Sequence, residues 1–147
     1  MSFQFRYEKI LTMKEKEKDS AFHEMNVFKQ MKETAEHQLL ELIQKKDHYI
    51  RDSQNMMRNS LRVTDIQERE KYIDFLNRQI ERVKKKVSEL TRELTIKNNV
   101  LLTKNQEEKI WSSWREKSLE EYTVKTNREE QNRLDEMAVL RYFYHKN

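Results

Sequence analysis

The sequence predicts an all-α protein: a two-helix antiparallel coiled-coil hairpin whose longer second helix extends past the first. Three observations predict this fold. The 147 residues include no glycine and no proline, the residues that most strongly disfavour a helix interior. Charged residues make up 38% of the chain and hydrophobic residues only 35%, which suits a narrow seam better than a thick globular core. The apolar residues also recur every seven positions, as a coiled coil requires.

The clearest repeat lies in the second half of the chain. Its first row holds Ile66, Ile73, Ile80, Val87, Leu94 and Leu101. The complementary row holds Leu76, Val83 and Leu90. Two such rows form the a and d positions of a coiled coil sustained for about five heptads. Thr64 and Gln67 resemble a capping box, so we expect the second helix over about residues 64–143.

The first half of the chain carries a less regular version of the repeat. Its main row holds Ala21, Phe28, Ala35, Leu42, Tyr49 and Met56. Lys32 and Lys46 interrupt the partner row. We expect the first helix over about residues 3–58. Asparagine and serine favour turns, and their position between the two halves predicts a bend at about residues 59–63. The whole chain, 1–147, is then one hairpin domain.

A bend there makes the helices antiparallel neighbours, so facing residues keep a constant sum of sequence numbers. A sum of 122 closes six apolar layers: Met56 with Ile66, Tyr49 with Ile73, Leu42 with Ile80, Ala35 with Val87, Phe28 with Leu94, and Ala21 with Leu101. The same register predicts further facing pairs: Leu11 with Trp111, Lys14 with Glu108, Lys18 with Lys104, Tyr7 with Arg115, and Phe3 with Leu119. Residues 120–147 then have nothing opposite them, and we expect a single exposed helix there.

Three groups of apolar residues exceed what the seam needs. The first is the N-terminal group of Phe3, Phe5, Tyr7, Ile10 and Leu11, which suits a clasp against the tryptophans or a partner equally well. The second is the C-terminal group of Leu134, Met137, Ala138, Val139, Leu140, Tyr142, Phe143 and Tyr144. The third, Tyr72 and Phe75 with Tyr49 opposite, lies towards the bend. Unpaired apolar side chains on a helix usually mark an interface, so the C-terminal group predicts partner binding.

The residue types exclude most catalytic chemistry. A phosphate-binding glycine loop needs glycine, and thiolate chemistry or disulfides need cysteine, and the chain has neither. Only Glu33, His37 and Glu41 have the spacing to place metal ligands on one helix face, and a solvated surface is the better interpretation. We therefore predict a protein that is not an enzyme and that has no metal site and no cofactor.

The charge and hydropathy patterns bear on location and on nucleic-acid binding. No apolar run approaches the roughly 20 residues that span a bilayer, and the N-terminus lacks a signal-peptide pattern, so we expect a cytoplasmic protein without membrane insertion. The net charge is only +4. The basic bias peaks at Lys84, Lys85 and Lys86, which point in three directions on a helix. We expect no nucleic-acid binding.

Two stretches of the sequence resemble a known family. The first runs over residues 5–11 and continues with Lys14, Glu15 and Glu17; the second covers residues 128–138. They resemble the opening and the close of the FliJ family, coiled-coil proteins of the bacterial flagellar type III export apparatus. The chain also resembles the family in its length, in its predicted hairpin and in its lack of cysteine, so the resemblance covers the whole chain.

The resemblance implies a stalk-like, non-enzymatic export component at the cytoplasmic face of the membrane at the flagellar base. Its partners would be the hexameric flagellar export ATPase, which it activates, the membrane-embedded export-gate protein, and export chaperones. The ATPase-binding residues that it implies are Tyr7, Ile10, Leu11, Lys14, Leu134, Asp135 and Ala138. The export-gate-binding residues that it implies are Tyr49, Tyr72 and Leu76.

Two alternatives stay open at this point. One is the related stalk protein of a virulence type III system. The other is a generic coiled-coil scaffold that self-associates in parallel, whereas the hairpin predicts a monomer. The constant sum of 122 favours the hairpin.

Overall fold

The computed structural model describes residues 2–58 and 62–146 and contains two α-helices. Helix α1 spans Glu8–Met57 and helix α2 spans Val63–Lys146, so α2 is the longer by 84 residues to 50. The two helices pack against each other, which confirms the predicted fold class. Most of the predicted bend, residues 59–61, lies outside the described residues.

Helix α1 begins at Glu8, later than the expected start at residue 3. Phe3 and Phe5 are not helical, because their rings pack sideways against aromatic residues of α2. The first turn of α1 is held by the Leu11 N–H, which donates to the Tyr7 carbonyl at 3.0 Å. Packing of the rings across α2 thus outweighs the helical propensity of the N-terminal residues.

Helix α2 begins one residue before the expected Thr64, and a different residue caps it. The Arg62 backbone N–H donates to the Asp65 carboxylate at 3.3 Å, and the Asp65 N–H donates to the Arg62 carbonyl at 3.0 Å. An acidic side chain reaching back from the third helical position is one half of a capping box, and its charge also suits the helix N-terminus. The predicted Thr64 and Gln67 cap is therefore wrong.

Contacts within the chain divide it into two units: unit 1, Met1–Asp19 with Leu102–Asn147, and unit 2, Ser20–Leu101. Each unit contains one segment of α1 and one of α2, and the segments run antiparallel. The expectation of a single domain over 1–147 stays a prediction.

Unit 2 is built on the predicted seam. Its buried apolar side chains are Ala21, Ala35, Leu76, Ile80 and Leu90. The Tyr49 and Tyr72 rings lie 4.5 Å apart, and Lys97 Nζ contacts Glu24 Oε2 at 3.1 Å. The residue numbers in each pair sum to 121, within one of the predicted register. Alanines facing larger residues let the two helices approach without crowding.

The last predicted layer of unit 2, next to the bend, does not close. Met56 is 63% exposed, so it does not pack as the partner that Ile66 was expected to have. About one turn away, a polar contact joins the two helices in place of this apolar layer. Ser53 is buried there, and its hydroxyl accepts a 2.5 Å hydrogen bond from Arg69 Nε. The Ser53 hydroxyl also donates to the Ile50 carbonyl, so this buried polar group is satisfied.

Candidate partner-binding surfaces

An aromatic cluster joins the N-terminal residues of unit 1 to α2. We define the aromatic cluster as the six rings Phe3, Phe5, Tyr7, Trp111, Trp114 and Tyr122. The Tyr7 ring is its centre, with centroids 5.0 Å from Trp114, 5.7 Å from Trp111 and 5.8 Å from Phe5. Ring pairs at such separations add to the free energy gained from burying their area. The clasp that the sequence suggested therefore exists.

The N-terminal partners differ in detail from the predicted register. Phe3 packs on Tyr122, with centroids 5.5 Å apart, rather than on Leu119, which is exposed. Arg115 forms an ion pair with Glu8 at 2.9 Å, and its guanidinium lies over the Phe3 ring. The predicted contact of Arg115 with Tyr7 is wrong, because Tyr7 is occupied by the two tryptophans and by Arg6.

Beyond the buried Leu11, ion pairs occupy the seam of unit 1 next to the cluster. Lys14 Nζ donates to Glu107 Oε2 at 3.2 Å, and Lys104 Nζ donates to Glu17 Oε2 at 3.2 Å. Lys18 lies 3.7 Å from Glu108, so the expected clash of Lys18 with Lys104 does not occur. Lys14 was expected to face Glu108 and instead uses Glu107, since a lysine side chain can reach either neighbour.

These contacts shift the pKa values of two groups. The hydrogen bond to Glu107, with help from the charge of Glu17, raises the pKa of the Lys14 ammonium above its ordinary value. The hydrogen bond from Lys104 lowers the pKa of the Glu17 carboxyl below its ordinary value. Both shifts favour the charged forms. Contacts across the helices therefore hold Lys14 and Glu17 in their charged forms near neutral pH.

Beyond Tyr122, α2 has no helix covering it among the described residues. Every side chain from Thr123 to His145 is exposed, so the uncovered segment begins slightly later than the expected residue 120. We define the C-terminal stripe as the large apolar side chains of its last part, from Leu134 to Tyr144, which are each about half exposed or more: Leu134, Met137, Val139, Leu140, Tyr142, Phe143 and Tyr144. Asp135, Glu136, Val139 and Leu140 line a shallow groove on this segment. An apolar stripe of this size is typical of a surface that another protein covers.

The residues implied as ATPase-binding all lie in unit 1, but they differ in accessibility. Leu134, Asp135 and Ala138 are exposed on the uncovered part of α2. Tyr7, Ile10 and Lys14 are half-buried in or beside the seam. Leu11 is only 4% exposed. Its side chain offers almost no surface, so Leu11 can act only by holding its neighbours in place.

The residues implied as gate-binding lie together in unit 2. Tyr49 and Tyr72 are half-buried against each other, and the Tyr72 ring stacks on Phe75 at 6.3 Å. Leu76 is 1% exposed, the largest fully buried side chain among the described residues. A partner can touch the tyrosines but not Leu76. Phe75, 48% exposed, presents more surface here than any of the three.

The described residues show no arrangement for metal chemistry or for crossing a membrane. Within residues 2–58 and 62–146, no three histidine or carboxylate side chains are grouped as metal ligands would be. His37 instead forms an exposed pair with Glu41 at 3.0 Å. No helix in the described part of the chain has both the length and the apolar character that a membrane span requires.

One surface of unit 1 was not singled out by the sequence. Trp114 is 46% exposed and Ile110 65% exposed, so the outer side of the aromatic cluster remains open to solvent between Lys109 and Lys117. The seven-residue repeat describes only the inner rows and does not rank outer positions. The i, i+4 spacing of the two apolar residues was the available signal.

Comparison with known proteins identifies a family that this chain matches. The FliJ family model, described as Flagellar FliJ protein, matches residues 3–147. A Flagellar FliJ protein of Bacillus subtilis (strain 168) is 23% identical over 142 residues, which cover 97% of this chain and 97% of the relative. No solved structure shows a significant match.

Proposed function

This chain belongs to the FliJ family of non-catalytic flagellar export components, and from that premise we propose that it binds the hexameric export ATPase and raises its activity. In this proposal it also connects the ATPase to the membrane-embedded export gate and binds export chaperones. It performs no chemistry itself and needs no cofactor. It acts as a monomer at the cytoplasmic face of the cell membrane at the flagellar base.

The observation that carries the proposal is the C-terminal stripe. Leu134 and its apolar neighbours are about half exposed, and they lie on the part of α2 beyond Tyr122, which α1 does not cover. Within it, Leu134, Met137 and Ala138 have i, i+3 and i+4 spacing and so share one face, and an apolar helix face is a common anchor for insertion into a protein groove. Asp135 beside this face adds a charge that can fix orientation without contributing much affinity.

The aromatic cluster also favours unit 1 as the part of the chain that binds the ATPase. Tyr7 and the tryptophans hold the start of α1 against α2, so both are presented together to a partner. Ile10 and Lys14 then contribute partly exposed surface next to the cluster. We assign direct contact to Leu134, Asp135 and Ala138, and a supporting role to Leu11.

A flagellar role is favoured over a virulence system because the matching family and the relative are both described as flagellar. A parallel self-associating scaffold would have to separate α1 from α2. Contacts such as Glu8 with Arg115 and Tyr49 with Tyr72 would then be lost, so no observation favours that alternative.

The test of ATPase binding is a charge placed on the stripe. With the purified cognate export ATPase, we expect Leu134→Asp to weaken binding by roughly 30-fold, as expected for the loss of a hot spot worth about 2 kcal/mol. Stimulation of ATP hydrolysis should fall in parallel at subsaturating concentrations of the chain. Titration of ATPase activity against chain concentration measures both.

The control is Leu40→Asp, the same substitution at a matched exposure. Leu40 is 52% exposed and Leu134 50%, but Leu40 lies in unit 2. The control should stimulate the ATPase as the natural chain does. Equal loss in both variants, or none in either, would remove the stripe from the binding site. A natural chain that neither binds nor stimulates the ATPase would reject the function itself.

Gate binding is tested separately with Tyr72. We expect Tyr72→Ala to weaken capture of the purified export-gate protein by roughly tenfold, because an aromatic anchor is lost. ATPase stimulation should stay unchanged. Phe22→Ala, at a 52% exposed aromatic position of unit 2, is the matched control and should bind the gate normally. Far-UV circular dichroism of both variants must match the natural chain. Unchanged gate capture by Tyr72→Ala would contradict the assignment.

A further inference from the structure

Four side chains of unit 1 form a closed ring of alternating charges between α1 and α2. Lys14 Nζ lies 3.2 Å from Glu107 Oε2 and 3.6 Å from Glu17 Oε2. Lys104 Nζ lies 3.2 Å from the same Glu17 oxygen and 3.7 Å from the same Glu107 oxygen. Each charge therefore has one opposite charge on its own helix and one on the other helix. We call these four residues the charge square.

The charge square lies in the seam, where a coiled coil normally has an apolar layer. Its side chains are between 23% and 34% exposed. Among the described residues of unit 1, Leu11 is the only buried apolar side chain. Ion pairs exposed to this degree contribute little net stability, and apolar residues in their place are often more stabilising. Stability is therefore not the main contribution of the square.

The apolar rows by themselves leave the register of the two helices ambiguous. Shifts of one or two residues replace apolar layers with charged ones, but a shift of seven does not, because the rows repeat every seven residues. In one direction Tyr49 then faces Ile66 and Leu42 faces Ile73, and in the other Tyr49 faces Ile80. Five apolar layers re-form in either direction. Such a slide moves the bend by only three or four residues, and no glycine or proline fixes its position.

The charge square distinguishes these registers. In the observed register the residue numbers of both cross-helix pairs sum to 121. A slide of seven residues places Lys14 opposite Val100 in one direction and opposite Trp114 in the other. The first direction offers Glu17 a new partner, Lys97, but it leaves Lys14 facing an apolar side chain. Because α1 and α2 are each one unbroken helix, a slide of the apolar rows in unit 2 carries this loss with it.

Slides of about one helical turn bring like charges together. A slide of three residues in one direction places Lys14 opposite Lys104. The same slide in the other direction places Glu17 opposite Glu107. Facing like charges repel, whereas the observed pairs attract. The alternation of charge around the square therefore disfavours the neighbouring registers in both directions.

We propose that the charge square fixes the register of α1 against α2. Polar residues at seam positions of coiled coils specify register at a cost in stability, and the square has that position and that low contribution to stability. The register in turn decides which residues of α2 remain uncovered. A slide of seven residues moves that boundary by about two helical turns and takes Tyr7 away from Trp114. This inference does not depend on binding of the ATPase or of the export gate.

The aromatic cluster is the competing determinant of register. Phe3 and Phe5 precede α1 and do not follow its helical rise. Their partners on α2 are Tyr122 and Trp114, and Trp111 lies one turn before Trp114. Rings on a non-helical segment can regroup on a row of aromatic residues after a slide, whereas charges at fixed helical positions cannot. The square is therefore the more selective of the two.

The test exchanges the charges of the square. Lys14→Glu with Glu17→Lys reverses α1 alone, and Lys104→Glu with Glu107→Lys reverses α2 alone. Each one-helix exchange turns both cross-helix pairs into like-charge pairs. The four substitutions together restore the alternation. All three variants keep the amino-acid composition and the net charge of the natural chain, and each helix keeps its internal ion pair.

The register is measured as a distance between two spin labels in unit 2. Gln44→Cys and Ser88→Cys place nitroxides at exposed positions of a chain that has no natural cysteine, and electron–electron resonance gives their separation. A slide of three residues moves the labels by about 4.5 Å along the helix axis, and a slide of seven by about 10.5 Å. The natural chain and the four-residue exchange should give one and the same distance. Each one-helix exchange should lower the ratio of natural to shifted distances roughly 30-fold, since two attractive contacts become repulsive.

The matched control is an exchange on the part of α2 that α1 does not cover. Glu130→Arg with Arg133→Glu reverses an ion pair of 3.3 Å within one helix, and it should leave the label distance unchanged. The proposal is overturned if a one-helix exchange keeps the natural distance, because the aromatic cluster or the bend then fixes the register. Failure of the four-residue exchange to restore that distance overturns it as well.

A neutral variant covers the case in which a one-helix exchange does not fold. Lys14→Gln, Glu17→Gln, Lys104→Gln and Glu107→Gln together remove the attraction without adding repulsion, and glutamine preserves helix propensity. Far-UV circular dichroism should show that this variant stays helical, and its labels should give shifted distances beside the natural one. A single natural distance in the neutral variant contradicts the proposal.

Discussion

Replacing Leu76 by alanine is expected to lower the free energy of unfolding by about 3 kcal/mol, within the usual 2–5 kcal/mol for a buried leucine. Leu76 is 1% exposed, and unit 2 has few other buried large side chains to compensate. A thin seam has little material to collapse into the cavity. Because domains are typically stable by only 5–15 kcal/mol, this single change should lower the urea midpoint clearly.

Leu40→Ala is the matched control for that prediction. It makes the same substitution in the same unit at a 52% exposed position, and it should cost less than about 1 kcal/mol. Urea unfolding followed by far-UV circular dichroism measures both variants. Similar midpoints for the two would mean that Leu76 is not at the centre of the seam. The result also bears on gate binding. If Leu76→Ala binds the export gate less well, the cause is lost packing within unit 2, because the buried Leu76 side chain cannot touch a partner.

Replacing Tyr7 by alanine is expected to destabilise unit 1 by about 2–3 kcal/mol. The substitution removes ring contacts with Phe5, Trp111 and Trp114, each of which adds roughly 0.5–1.5 kcal/mol beyond area burial. Both tryptophans of the chain belong to the aromatic cluster, so intrinsic fluorescence observes this region specifically. The tryptophan emission should shift to the red and its urea transition should move to lower concentration.

Tyr7→Phe separates the ring from the hydroxyl. Phenylalanine keeps the three ring contacts, so fluorescence and midpoint should stay close to those of the natural chain. If Tyr7→Phe were as damaging as Tyr7→Ala, the hydroxyl and not the ring packing would hold the cluster. An unchanged emission spectrum in Tyr7→Ala would show that the tryptophans do not depend on the N-terminal residues.

The aromatic cluster gives the proposed ATPase-binding end a physical basis. Next to it, Lys14 and Glu17 lie in a seam of ion pairs, and partly exposed ion pairs contribute little net stability. The rings and the buried Leu11 side chain therefore supply most of what keeps α1 against α2 in unit 1. A partner that gripped the C-terminal stripe would find the start of α1 held beside it.

Much of the fold could be predicted because several features of the sequence, the seven-residue repeat and the absence of helix breakers among them, indicate the same structure. Ile80, Leu90 and Ala35 each occur at a seam position of a seven-residue pattern and each is buried. No glycine or proline competes with the helices. The register was predictable to within one residue, since shifting one helix would have replaced apolar layers with charged ones. The candidate site was predictable only in outline, as a set of apolar residues beyond what the seam needs.

The outcomes that sequence reasoning missed have different physical causes. Lys14 could reach Glu107 or Glu108, and the register alone does not select the rotamer. The start of α1 at Glu8 follows from ring packing across the helices, which helix propensity does not include. The family resemblance implies one role for Leu76 and the two surface tyrosines, whereas the seam position of Leu76 predicts the burial that the structure shows.

By itself, the sequence determined two long helices and an apolar stripe left over at the C-terminal end, and it favoured an antiparallel seam over a parallel one. These depend on periodicity and on the absence of helix breakers, which are local properties of the chain. Only the tertiary structure decided which charged groups pair, which aromatic rings join the cluster and which apolar residues stay exposed. Those choices depend on distances between side chains of different helices, and long flexible side chains can satisfy one sequence pattern in several ways.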